Sequence, residues 1–285
     1  MKPVVVATDL DRTLIYSMAA ITATHPAGSI PPLVCVEIYD GQPLSYLTVA
    51  AAEVLRTLRT RAELVPITTR TPAQYQRVEL PGGPARYAIV SNGGHILVDG
   101  APDARWRQAV ERRIAGEGSS LAEITAGLDR QAVGDWVLNR KVADDLFCYL
   151  VVDLATLPPA FLDNWTAWCR SRGWVVSMQG RKIYAIPRGL TKESALAEVM
   201  QRTGADHLLA AGDGALDAGF LLMADRAIRP PHGELAETGW HAANVDISSA
   251  IGVLAGEEIV RWLAGQVDLA GQDVSVAADE SPRSR

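Results

Sequence analysis

Three short apolar runs, Val4-Val5-Val6, Leu64-Val65-Pro66-Ile67 and Leu208-Leu209-Ala210-Ala211, each end in polar residues and are separated by stretches with helical periodicity. Apolar runs of this length between helices read as buried parallel strands, and open α/β sheets bind ligands beyond the carboxyl ends of such strands. The residues following the runs are Asp9-Leu10-Asp11-Arg12-Thr13, Thr68-Thr69-Arg70 and Gly212-Asp213-Gly214-Ala215-Leu216-Asp217, with Thr191-Lys192 as a fourth segment. These segments are expected to converge on one crevice. Four carboxylates there (Asp9, Asp11, Asp213, Asp217) facing Lys192 would repel one another, and hard oxygen donors with excess negative charge suit Mg²⁺. Such a crevice suits a metal ion and a phosphoryl group.

An aspartate at a strand end, as Asp9 is, can attack phosphorus and divide one difficult displacement into two easier ones. Asp11, two residues on in extended chain, returns to the same face, where it can serve as acid and base. Thr68 offers a hydroxyl to phosphoryl oxygens, and Thr71-Pro72-Ala73-Gln74 predicts a capped helix start behind it. Lys192 stands in the first turn of a helix, where the dipole disfavours a cation, so binding a phosphoryl group supplies its reason to be there. Asp217 is placed to restrain it, and Asn92, in Asn92-Gly93-Gly94 after a strand Tyr87–Ser91, to support the site. Arg12, Arg70, Arg181 and Lys182 are candidate contacts for an anionic substrate. For Arg181 and Lys182, at the turn of a hairpin, solvated charge is the competing reading.

Taken in order, these four segments resemble the motifs of haloacid-dehalogenase (HAD) superfamily phosphohydrolases. The branch is the one with a large cap inserted after the third core strand, which includes Cof-type, sucrose-phosphate and trehalose-phosphate phosphatases. The resemblance spans roughly residues 1 to 260. It implies an α/β fold with a Rossmann-like parallel-sheet core and an inserted α+β cap. By the same resemblance, Mg²⁺ is held by Asp9, Asp213 and the Asp11 backbone carbonyl, and a hairpin flap sits beside the site. Three positions depart from the pattern: Arg12 and Thr69 stand where glycines are usual, and Leu216 where asparagine is usual.

On this reading residues 1–99 and 186–265 form the core, 100–185 the cap, and 266–285, polar and rich in small residues, a disordered tail. The cap comprises helices Asp103 to Ala115 and Ser120 to Leu128, strand Phe147 to Val152, a helix carrying Phe161, Trp165, Trp168 and Cys169, and a hairpin Trp174 to Ile186. Core strands Asp225 to Arg229 and His241 to Asn244 complete the sheet, and Leu33 to Leu47 forms a hairpin around Asp40-Gly41. A net charge of −6 offers nucleic acid no basic footprint. Three cysteines without metal-ligand spacing fit a reduced compartment. With no charged, apolar leader and no membrane-length apolar run, the expectation is a cytoplasmic enzyme that hydrolyses a small phosphorylated metabolite. A phosphomannomutase-type phosphomutase and a non-catalytic phospho-ligand binder are the alternatives; monomer and homodimer are both open.

Overall fold

The computed structural model describes residues 4–279. Its centre is a five-stranded, wholly parallel sheet in the order Val245–Ile247, Arg226–Arg229, His207–Ala211, Val4–Thr8, Glu63–Pro66. The strand Val4–Thr8 is buried at every position, as a strand covered by helices on both faces must be, and this explains its unbroken run of valines. Register fixes the crevice. Thr8 pairs with Ala211 on one side and Pro66 on the other, so the three following segments leave the sheet along one edge. The Asp9 N–H donates to the Ala211 carbonyl at 2.8 Å and the Ile67 N–H to that of Thr8 at 2.8 Å.

The strand Tyr87–Val90 joins this sheet through an Ile67–Ile89 bridge and pairs antiparallel with His95–Val98. Between the two, Ser91, Asn92 and Gly93 all take positive φ. At Gly93 a Cβ would lie 2.2 Å from the Thr191 carbonyl oxygen, so glycine lets the turn press against the segment that carries Lys192. The expected strand at His241–Asn244 lies further on, at Val245–Ile247. Asn244 leads into it: its carbonyl accepts from the Ala227 N–H at 2.8 Å, while its side-chain amide donates to the carbonyls of Leu221 and Ala224 at 2.9 and 2.8 Å.

Above the crevice stands a four-stranded antiparallel sheet, ordered Trp174–Gln179, Lys182–Pro187, Phe147–Val152, Val137–Ala143. Tyr149 and Tyr184 are register partners with ring centroids 5.3 Å apart, and the Thr69 hydroxyl donates to that of Tyr184 at 3.3 Å. That face therefore looks onto the core. Helices Leu121–Gln131 and Phe161–Arg170 pack against the sheet. Trp165 is fully buried and stacks on Trp168 at 5.1 Å, which makes both tryptophans packing residues. One apolar cluster runs from Val5 and Ile67 in the core to Phe147 and Trp165, and the Trp106 indole N–H donates to the Gly93 carbonyl at 2.8 Å. Ser120 accepts from the Glu123 N–H at 3.2 Å, while the Glu123 carboxylate turns to Arg172 at 3.4 Å instead of closing a capping box.

Two further features differ from expectation. Val137–Ala143 is an edge strand whose five middle residues are exposed, so no apolar alternation announces it. The stretch from Gln266 is not a disordered tail as far as Asp279: helix Gly252–Asp279 runs through it, with Val267 buried against the Val4–Leu64 side of the core and Asp268 paired with Arg61. Residues 280–285 lie outside the described ones. No helix among the described residues is long and apolar enough to cross a membrane.

Candidate active site

Lys192 organises the crevice. Its side chain is wholly buried, and Nζ donates to Asp9 Oδ1 at 2.7 Å and Asp217 Oδ1 at 2.6 Å. A buried ammonium persists only with such partners, and the two carboxylates hold its pKa above the ordinary lysine value against the opposing pull of burial. Thr191 caps the helix by accepting from the Ser194 N–H at 3.3 Å, which fixes where Lys192 begins. Asp217 is fully engaged, because Oδ2 accepts from the N–H groups of Asp213 (3.0 Å) and Gly214 (2.8 Å). It therefore orients the lysine and its own loop. Leu216, where a polar side chain is usual, packs half-buried against the main apolar cluster.

Asp9 Oδ2 and both oxygens of Asp213 accept no hydrogen bond from the described residues; the nearest cation to Asp213 is Arg12 Nε at 4.0 Å. One oxygen from each of Asp9, Asp213 and Asp217 lies within 4.8 Å of the others. Burial, reinforced by the Asp217 and Asp11 charges, pushes the Asp9 carboxyl up to about 7 despite Lys192. Burial and the Asp9 and Asp217 charges raise Asp213 well above the ordinary carboxylate range. A dry pocket with three carboxylates and one ammonium lacks positive charge, and its free donors are hard oxygens. This set fits Mg²⁺.

Asp11 lies apart from that cluster. Arg70 grips it with both arms, Nε to Oδ2 at 2.7 Å and Nη2 to Oδ1 at 2.8 Å. Burial pulls the Asp11 carboxyl upward, but the Arg70 hydrogen bonds and charge outweigh it and hold the group below its ordinary value. Arg70 in turn donates from Nη1 to Glu37 at 2.8 Å. Glu37 is buried in the 33–48 hairpin, where Ser45 (2.6 Å) and Arg77 (3.2 Å) also hold it. Arg70, expected as a free substrate contact, is thus committed to Asp11 and to the hairpin. Glu37 escaped the sequence reading; its only signal was a carboxylate flanked by Val36 and Ile38 in an apolar strand.

Thr68 is buried in the turn between strand and helix, and its hydroxyl accepts the Arg70 N–H at 3.1 Å. The Thr71 capping box is present, though the helix behind it, Pro72–Tyr75, is a single turn. Asn92 accounts for its own place: its N–H donates to the Thr68 carbonyl at 3.0 Å and its side-chain amide to that of Leu190 at 2.9 Å. It ties the Thr68 turn to the Lys192 segment. Lys182, on the cap sheet, has Tyr184 and Asp11 among the groups that raise its pKa, with Nζ 5.9 Å from the Tyr149 ring centroid. Arg12 and Arg181 belong to a neighbouring cavity described below.

The chain of a sucrose-phosphatase from Synechocystis sp. PCC6803, in complex with sucrose and phosphate, superposes with a TM-score of 0.59. The match covers 92% of this chain and 98% of that one at 16% identity. The fold is that of the HAD-superfamily phosphatases. A HAD phosphatase from Bacteroides thetaiotaomicron matches over 92% of this chain and 95% of its own (TM-score 0.51, 13% identity). The C-terminal domain of the trehalose-6-phosphate phosphatase of C. albicans matches over 93% and 92% (0.53, 11%). The sequence itself matches no protein-family model and no curated protein.

Proposed function

We propose that this protein is a Mg²⁺-dependent phosphomonoesterase that hydrolyses a small phosphorylated metabolite in the cytoplasm through a phospho-Asp9 intermediate. The observation that carries the reading is the split role of Asp9, with one oxygen fixed by Lys192 and the other unpaired in a pocket short of positive charge. The HAD phosphatase fold supports it. The three free cysteines fit the compartment.

Asp9, Asp213 and the Asp11 carbonyl would hold Mg²⁺, which when bound supplies charge to the transferring phosphoryl group. Lys192 fixes Asp9 Oδ1, which leaves Oδ2 to form a bond to phosphorus as the ester P–O bond breaks. Asp11 gives a proton to the departing oxygen, then takes one from the water that attacks the phospho-aspartate; phosphate leaves and Asp9 is restored. Thr68 and Lys192 bind the phosphoryl oxygens.

Hydrolysis of p-nitrophenyl phosphate should stop in excess chelator and return with Mg²⁺; full activity in chelator would contradict the reading. Because the Asp9 carboxyl sits at about 7 in the ion-free protein, Mg²⁺ must displace a proton at about pH 6 and none from Asp9 well above about pH 8. Calorimetric titration in buffers of different ionisation enthalpy should show that release, with Mg²⁺ affinity falling as pH drops through about 7.

The Arg70 clamp carries a second expectation. A general acid works only while protonated, and Arg70 stabilises the ionised form of Asp11. Arg70→Gln should therefore raise the Asp11 pKa and move the alkaline limb of kcat/KM to higher pH for an alkyl phosphate, whose leaving oxygen needs a proton. The limb for p-nitrophenyl phosphate, a good leaving group, should move less. Unchanged limbs for both substrates would detach Arg70 from Asp11 chemistry.

A further inference from the structure

Beside the carboxylate cluster lies a cavity of about 480 Å³, walled by Arg12, Tyr16 and His232 of the core, by the helix Met18–Thr24, and by Arg181 of the cap hairpin. We propose that this cavity receives the part of the substrate that is not transferred, and that this part carries a second anionic group held between Arg12 and Arg181. The inference rests on the phosphatase reading and names the substrate class.

Charge is the first argument. Two arginines line the cavity, Arg12 from the first core loop and Arg181 from the cap hairpin, and among the described residues no aspartate or glutamate lines it. Arg181 makes no ion pair among the described residues, and the one carboxylate near Arg12 is Asp213 at 4.0 Å, on the catalytic side. A carboxylate or phosphate in this space would give both arginines the bidentate partner their geometry favours.

Backbone conformation is the second. Arg12 has φ +66°, a left-handed conformation that costs a residue with a side chain on the order of 1 kcal/mol and glycine almost nothing. Its carbonyl faces His232 Nε2 at 2.9 Å, and the His232 ring stands edge-on to Tyr16 at 5.9 Å. The strained residue is therefore clamped so that its guanidinium lies between Asp213 and the cavity. An arginine kept where glycine would be relaxed implies that the side chain is used.

Space is the third. The helix offers Ala20 and Ala23 to the cavity, small side chains that leave room for a small metabolite. Because Arg12 adjoins both Asp213 and this space, a phosphoryl group at Asp9 and an anion in the cavity can belong to one molecule.

The test compares matched esters: glycerol 3-phosphate against 3-phosphoglycerate, and fructose 6-phosphate against fructose 1,6-bisphosphate, with p-nitrophenyl phosphate as the generic ester. At least one partner bearing the second anion should exceed its neutral counterpart in kcat/KM by about 10- to 100-fold, the range of a charge-assisted hydrogen bond. The first pair reports carboxylate and the second phosphate as the preferred group. Arg181→Ala and Arg12→Gly, the latter relaxed at this φ, should each erase about tenfold of the preference, mainly through KM. Equal kcat/KM within both pairs, or a preference untouched by both substitutions, overturns the inference. Failure to hydrolyse any ester would instead refute the phosphatase reading; calorimetric binding of the same pairs then judges the pocket alone, with tighter binding of the second-anion compounds, lost in Arg181→Ala, in its favour and equal binding against it.

Discussion

Replacing Asp9 by asparagine is expected to lower turnover by about 10³-fold or more while the protein stays folded, since an amide cannot take the nucleophile's place. The substitution preserves shape, and the carbonyl of the new amide can still accept from the Lys192 ammonium, so circular dichroism and the urea midpoint should change little. Steady-state hydrolysis of p-nitrophenyl phosphate with saturating Mg²⁺ checks the rate. Near-normal turnover by Asp9→Asn would exclude Asp9 as the attacking group.

Lys192→Met should damage both activity and stability. Methionine fills a similar volume, but Asp9 and Asp217 then face each other in a dry pocket without the shared cation. Removing one partner from a buried charged group costs about 3 to 5 kcal/mol. The sign with pH follows from what remains. Without the lysine the Asp9 carboxyl, already raised to about 7 by burial, loses the charge that held it down and rises further, so the folded variant holds a proton that the unfolded chain releases above about pH 4. The loss should therefore be largest near about pH 8 and shrink on acidification. Urea denaturation of both proteins at about pH 5.5 and 8 measures this, and a deficit independent of pH would mean that the lysine acts by packing alone.

What the sequence disclosed follows from locality. Val4–Thr8 and His207–Ala211 are legible because strands buried on both faces must be continuously apolar. Thr71 is legible because its partner is three residues away, and the hairpin begun by Leu33–Tyr39 because Asp40 and Gly41, both at positive φ, suit its turn. The meeting of Asp9, Lys192, Asp213 and Asp217 was inferred from strand ends, and register brings it about.

What remained hidden depends on distant pairing. Nothing near Arg70 predicts that Glu37, on the hairpin begun by Leu33–Tyr39, will hold it while it grips Asp11. Val137–Ala143 is a strand because Phe147–Val152 offers it an edge, not because of its own pattern. The final helix looked like a polar tail because its small residues carry little hydrophobic signal; Val267 packing against the core, with the Arg61–Asp268 pair, anchors its course. The cavity between Arg12 and Arg181 arises only when the cap hairpin stands over the first core loop.

The central claim is that phosphate passes through Asp9. Asp11→Asn should slow hydrolysis of the intermediate more than its formation when the leaving group is p-nitrophenolate, so phospho-enzyme should accumulate. Acid quench within one turnover, borohydride reduction and peptide mass mapping then locate it. The account predicts that the Asp9 acyl phosphate is reduced to homoserine, in proportion to the p-nitrophenolate burst. A burst with Asp9 unmodified, or with the label on another residue, would contradict it.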